Sequence, residues 1–84
     1  MEKSKLNKLF DVRFGHYVKK KREAKGWSQA ELASRLENNF QNISRLERGE
    51  ITPTLFWCYK LANAFELELE DILKEFDFKQ RKKI

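Results

Sequence analysis

Apolar residues recur along the chain at steps of three and four, the period of helices that bury one face. Leu6, Phe10, Phe14 and Val18 fall at steps of four and form one stripe. Lys19, Lys20, Lys21, Arg22 and Lys25 follow, cations near a helix C-terminus where the macrodipole favours them. Gly26 can adopt φ > 0 and end the helix, with Trp27 packing back on it. The pattern predicts a first helix over about 11–25, with an earlier start left open.

Ser28 opens the next helix, because S-Q-A-E reads as a capping box in which Ser28 and Glu31 satisfy each other's backbone amides. Leu32, Ala33 and Leu36 form its buried face over 29–36, and Glu37, Asn38 and Asn39 interrupt it. A third helix over 40–47 turns Ile43 and Leu46 inward and closes at Gly49. In E-I-T-P-T, Pro53 beside Thr52 or Thr54 announces a fourth helix, with Leu55, Cys58, Leu61, Ala62 and Phe65 on one face. A break at Glu66–Glu68 precedes a fifth, with Leu69, Ile72, Leu73 and Phe76 inward and an acidic first turn. The expectation is an all-α domain over 11–76, with an N-terminal extension over 1–10 and a basic tail over 77–84.

Length narrows this to one small domain. A chain of 84 residues buries only ~60% of the surface its unfolded form exposes, so self-association is a natural source of further stability. The longest apolar run, Leu55–Tyr59, is five residues, against about 20 to span a bilayer, and no apolar secretory segment follows the first lysines. One cysteine and one histidine supply neither an internal disulfide nor a structural zinc site. No metal and no cofactor is therefore expected, and a cytoplasmic setting is. His16 reads as a surface residue, Cys58 as a core thiol, and Trp57 and Tyr59 as helix packing.

Charge is uneven. Residues 1–65 carry 13 Lys+Arg against 7 Asp+Glu, a net of +6, and residues 66–84 carry 5 against 6, a net of −1. A basic surface favours nucleic acid over an acidic partner and leaves the last segment for another contact. Two short helices at a tight turn, 29–36 and 40–47, suit a helix-turn-helix. The second begins with Asn39, Gln41 and Asn42, with Arg45 one turn on. Amide and guanidinium groups are the side chains that read base edges bidentately in the major groove. Gln29 opens its helix where backbone amides attract phosphate.

The stretches F-G-H-Y-V-K-K-K-R-E-A-K-G-W-S-Q-A-E-L-A-S-R-L, I-S-R-L-E-R-G and T-P-T-L-F-W-C-Y-K-L-A-N-A-F resemble the phage repressor/Cro (Xre-type) helix-turn-helix family over roughly residues 13–73. That resemblance implies a five-helix, repressor-like DNA-binding domain whose third helix reads DNA. It implies base contacts by Phe40, Gln41 and Arg45, to which the amide at the helix start adds Asn42. The resemblance gives phosphate contacts to Gln29, Ser44 and Arg48, and Lys19, Ser28 and Asn39 are expected beside them. Arg22 and Glu47 match a structural pair tying the first helix to the end of the third. Glu37 and Asn38 depart from the family's Gly followed by Val or Ile, which predicts a turn rearranged by about one residue and leaves the register of Phe40 to Asn42 open. Phe40 then has two readings, an apolar contact with thymine methyls or an inward side chain filling the space under Asn38.

The function expected is a sequence-specific DNA-binding transcriptional regulator, a homodimer on double-stranded DNA with a near-palindromic operator. Leu67, Leu69, Ile72, Phe76 and Phe78 are the expected dimer surface. A restriction–modification controller and an antitoxin-like repressor fit the same size, and a protein partner such as a toxin or RNA polymerase stays open. A protein-interaction module on this fold is the rival class, disfavoured by Gln29, Gln41 and Arg45. An enzyme is disfavoured because no phosphate loop, nucleophile–base pair or metal ligand set is present, and no membrane contact is expected.

Overall fold

The computed structural model describes residues 4–76, which form five helices and no strand: α1 (Lys5–Ala24), α2 (Gln29–Arg35), α3 (Phe40–Glu47), α4 (Leu55–Ala64) and α5 (Leu69–Glu75). α1 starts well before residue 11 because Ser4 caps it, its hydroxyl accepting from the Asn7 amide at 3.0 Å. Residues 5–10 therefore belong to the first helix rather than to an extension. Leu6 and Leu9 stay exposed on this early part, and Phe14 and Val18 carry the stripe into the core. Residues 77–84, the expected basic tail with Phe78, lie outside the described segment.

Helix starts follow from local chemistry. Ser28, Asn39 and Thr54 each accept from the amide three residues on, at 2.9–3.0 Å, and the Ser28–Glu31 box is complete. Helix ends share one geometry. After α1, α2, α3 and α4 a single left-handed residue reverses the chain: Gly26 (φ 73°), Glu37 (φ 55°), Gly49 (φ 76°) and Glu66 (φ 62°). In each case the next residue's amide bonds back five residues, as in Trp27 to Arg22 (3.2 Å), Asn38 to Ala33 (2.9 Å), Glu50 to Arg45 (2.9 Å) and Leu67 to Ala62 (2.8 Å). The turn after α2 is thus an ordinary helix closure made at Glu37. Asn38 does not take the left-handed position, and no one-residue rearrangement occurs; Asn39 remains free to cap α3.

The core comprises Phe14, Val18, Leu32, Ala33, Leu36, Ile43, Leu46, Leu61, Ala62, Phe65 and Ile72. Gly15 lets α1 lie against the end of α3, since a Cβ there would collide with the Leu46 and Glu47 carbonyl oxygens. Trp27 packs beyond the helix it follows, stacked on Phe65 at 5.9 Å with the Arg35 guanidinium 4.0 Å over its ring. Two residues expected inward face solvent instead: Leu55 is 70% and Leu73 61% exposed. Each lies at a helical position that no neighbouring element covers. Conversely Asp11 is fully buried and accepts from the Thr52 hydroxyl at 2.6 Å, joining α1 to the loop before α4. α5 is held on α1 by Phe76, which meets Phe10 and Phe14 edge-on at 5.4 and 5.2 Å, and by the Tyr17 hydroxyl and Lys21 ammonium on Glu75.

Candidate nucleic-acid interface

α3 is amphipathic over only eight residues. At 100° per residue, Phe40, Gln41, Ser44, Arg45 and Arg48 share one arc of about 140°, and Ile43 and Leu46 lie on the opposite side. The structure agrees: Ile43 and Leu46 are buried, Gln41 and Arg45 are exposed, and Phe40 is 52% exposed. Phe40 therefore does not fill the space under Asn38. That space is closed by polar chemistry, because the Asn38 carboxamide oxygen accepts from the Asn39 amide and the Asn42 side-chain amide, both at 2.8 Å. Asn42 is half-buried with its amide turned back on Asn38, so it stands apart from the outward-facing Phe40, Gln41 and Arg45.

The back of α3 is tied down by one buried carboxylate. Glu47 accepts from Arg22 Nε at 2.7 Å and Nη2 at 3.0 Å, and Arg22 Nη1 donates to the Trp27 carbonyl at 2.8 Å. Side-chain exposures of 11% for Arg22 and 3% for Glu47 make this an internal pair. The Glu47 hydrogen bond pushes the Arg22 pKa further above its ordinary value, against the opposing effect of burial. Gln29 joins the cluster, its Nε2 donating to Glu47 Oε1 at 3.0 Å. One amide therefore connects the start of α2, the end of α3 and α1. A carboxamide nitrogen carries two protons, so Gln29 retains a donor beyond the one it gives to Glu47.

The other residues expected at phosphates are exposed or half-buried side chains. Lys19 is exposed on α1, and Ser28 and Asn39 are exposed caps whose side-chain oxygens already serve helix amides. Ser44 accepts from Arg48 Nη1. Arg48 in turn grips Glu50, through Nε at 2.8 Å and Nη2 at 3.2 Å, and Arg45 Nε lies 3.8 Å from the same carboxylate. The Arg48 bond holds the Glu50 carboxyl below its usual range. Sequence reasoning missed Glu50; the signal available was an Arg-x-Glu pair straddling a helix end.

The expected dimer surface is redrawn. Ile72 is 0% exposed in the chain's own core and offers nothing to a partner. Leu67, Leu69 and Phe76 are half-buried, and Phe76 is largely spent on the α1 aromatics. The described residues hold no group of acidic, histidine and cysteine side chains suited to a metal and no helix long and apolar enough to cross a membrane.

These features define a five-helix helix-turn-helix domain. The chain belongs to the helix-turn-helix family, whose model matches residues 18–72. It is 31% identical over 55 residues to the uncharacterized HTH-type transcriptional regulator YgzD of Bacillus subtilis, covering 66% of this chain and 83% of that protein. An uncharacterized HTH-type transcriptional regulator of Archaeoglobus fulgidus is 36% identical over 55 residues, covering 66% of this chain and 78% of its own length. The crystal structure of the restriction-modification controller protein C.AhdI from Aeromonas hydrophila superposes with a TM-score of 0.70 at 32% identity, covering 76% of this chain and 94% of that one. An HTH_3 family transcriptional regulator from Vibrio cholerae shares the fold, with a TM-score of 0.75 at 22% identity over 87% of this chain and 40% of that one.

Proposed function

We propose that this protein is a sequence-specific DNA-binding transcriptional regulator that reads the major groove with the outer arc of α3. The observation that carries the reading is the exposure of Phe40, Gln41 and Arg45 on a short helix whose back is locked by Glu47. Arg45 suits a guanine O6/N7 edge and Gln41 an adenine N6/N7 edge, each pair worth ~1–3 kcal/mol of discrimination. Phe40 suits thymine methyls. Asn42 serves the helix start first and a base second. Lys19, Ser28, Gln29, Asn39, Ser44 and Arg48 form the phosphate rim, Gln29 through the amide proton it keeps beyond Glu47.

A homodimer on a near-palindromic operator completes the reading, because two copies of α3 about 34 Å apart meet successive turns of one groove face. Leu67, Leu69 and Phe76 remain the candidate contact, extended by exposed Leu73. Among the regulator subclasses, the match to C.AhdI favours a restriction–modification controller, since it spans nearly all of that chain at 32% identity. A cytoplasmic location follows from the regulator role. The test is selection of binding sites from random duplexes at two salt concentrations. A palindromic site with a salt slope of about −0.9 per neutralised phosphate is expected. Binding that is absent, or independent of salt, overturns the reading.

A further inference from the structure

Just past the end of α3 the Glu50 carboxylate sits beside two guanidiniums, those of Arg45 and Arg48. Glu50 follows the left-handed Gly49, and its amide bonds back to the Arg45 carbonyl at 2.9 Å, so its backbone is stationed at the end of the reader helix. From there its oxygens take Arg48 through two nitrogens, at 2.8 and 3.2 Å, and lie 3.8 Å from Arg45 Nε. All three side chains are about half exposed, so they stay accessible to solvent or a ligand.

We propose that Glu50 is a specificity-determining residue, which restrains the Arg45 and Arg48 forks and so weakens sequence-independent DNA binding more than operator binding. The inference rests on the α3 reading above. Sequence-independent affinity comes almost wholly from cations neutralising phosphates. A phosphate accepts a guanidinium from many directions, so that mode gains most from forks that are free to move. A guanine edge accepts Arg45 in one planar orientation, and a carboxylate beside the guanidinium narrows the orientations it must abandon to reach it. Glu50 also presents its own negative charge to any phosphate drawn near Arg48. Both effects lower the phosphate mode; only the second opposes the base-reading mode.

The experiment measures wild type, Glu50→Gln and Glu70→Gln on the selected operator and on a random duplex, across a salt series. Glu70→Gln makes the same charge change on α5. Glu50→Gln is expected to tighten random-duplex binding about tenfold and to steepen its salt slope by about 1 per protomer. Operator binding should tighten less, so the ratio between the two falls, with the melting temperature unchanged. Equal tightening on both duplexes, no change, or the same shift from Glu70→Gln overturns the proposal while leaving the DNA reading standing. A wild type that binds no duplex at low salt overturns the DNA reading itself, and this inference with it.

Discussion

Arg22 and Glu47, 25 residues apart, meet through two hydrogen bonds of 2.7 and 3.0 Å in an almost closed site between α1 and the end of α3. The pair fixes α3 against α1, the longest described helix. Removing one partner leaves the other buried and uncompensated, at ~3–5 kcal/mol. Glu47→Ala is expected to lower stability by about that much in urea unfolding and to weaken DNA binding as a consequence. Weakened binding at an unchanged unfolding midpoint would make Glu47 a DNA contact instead.

Glu37 and Glu66 hold left-handed backbone where a side chain is sterically costly, by ~1–2 kcal/mol. Glycine at either position should stabilise the domain by about 1 kcal/mol, after allowing for its greater freedom in the unfolded chain. The two turns close different helices, so the gains should add in the double variant. Chemical denaturation of the three variants checks this.

Phe40 stands half exposed on α3, so its loss removes little packing. Phe40→Ala should change stability by within ~0.5 kcal/mol. On the α3 reading it should also relax preference at one thymine-containing step of the operator. Uracil in place of each operator thymine in turn locates the methyl group involved.

Tyr17 titrates above its ordinary value of 10.0, because burial and then the hydrogen bond to Glu75 disfavour the phenolate. A raised folded-state pKa contributes stability that is fully present below pH 10 and is lost as pH rises above it. Thermal unfolding between pH 9 and 11 should therefore fall more steeply for wild type than for Tyr17→Phe.

Most helix positions and ends were legible in the chain because they are local, the start of α1 at Ser4 being the exception. A serine or asparagine hydrogen-bonds three residues away, and a period of three or four residues places Leu32, Leu36, Ile43 and Leu46 on one side whatever surrounds them. The outward faces of Gln41 and Arg45 follow from the same rule, whereas Phe40 stood between two readings until the structure exposed it. The Arg22–Glu47 pair came from family resemblance, since nothing within either helix points to the other. What needed the tertiary structure is everything set by which neighbour covers a face. Leu55 and Leu73 sit on regular apolar stripes yet face solvent, and Asp11, a carboxylate, is buried because Thr52 arrives to bond it. Ile72 turns from candidate partner surface into core, and half-buried Phe76 gives part of its surface to the α1 aromatics, once α5 folds onto α1. The turn at Glu37 keeps its register because the backbone closure of α2 and the Asn38 hydrogen bonds together hold a conformation that glutamate alone would avoid. Periodicity is a property of one helix; burial and charge pairing are decided by the distance between helices, which sequence spacing does not encode.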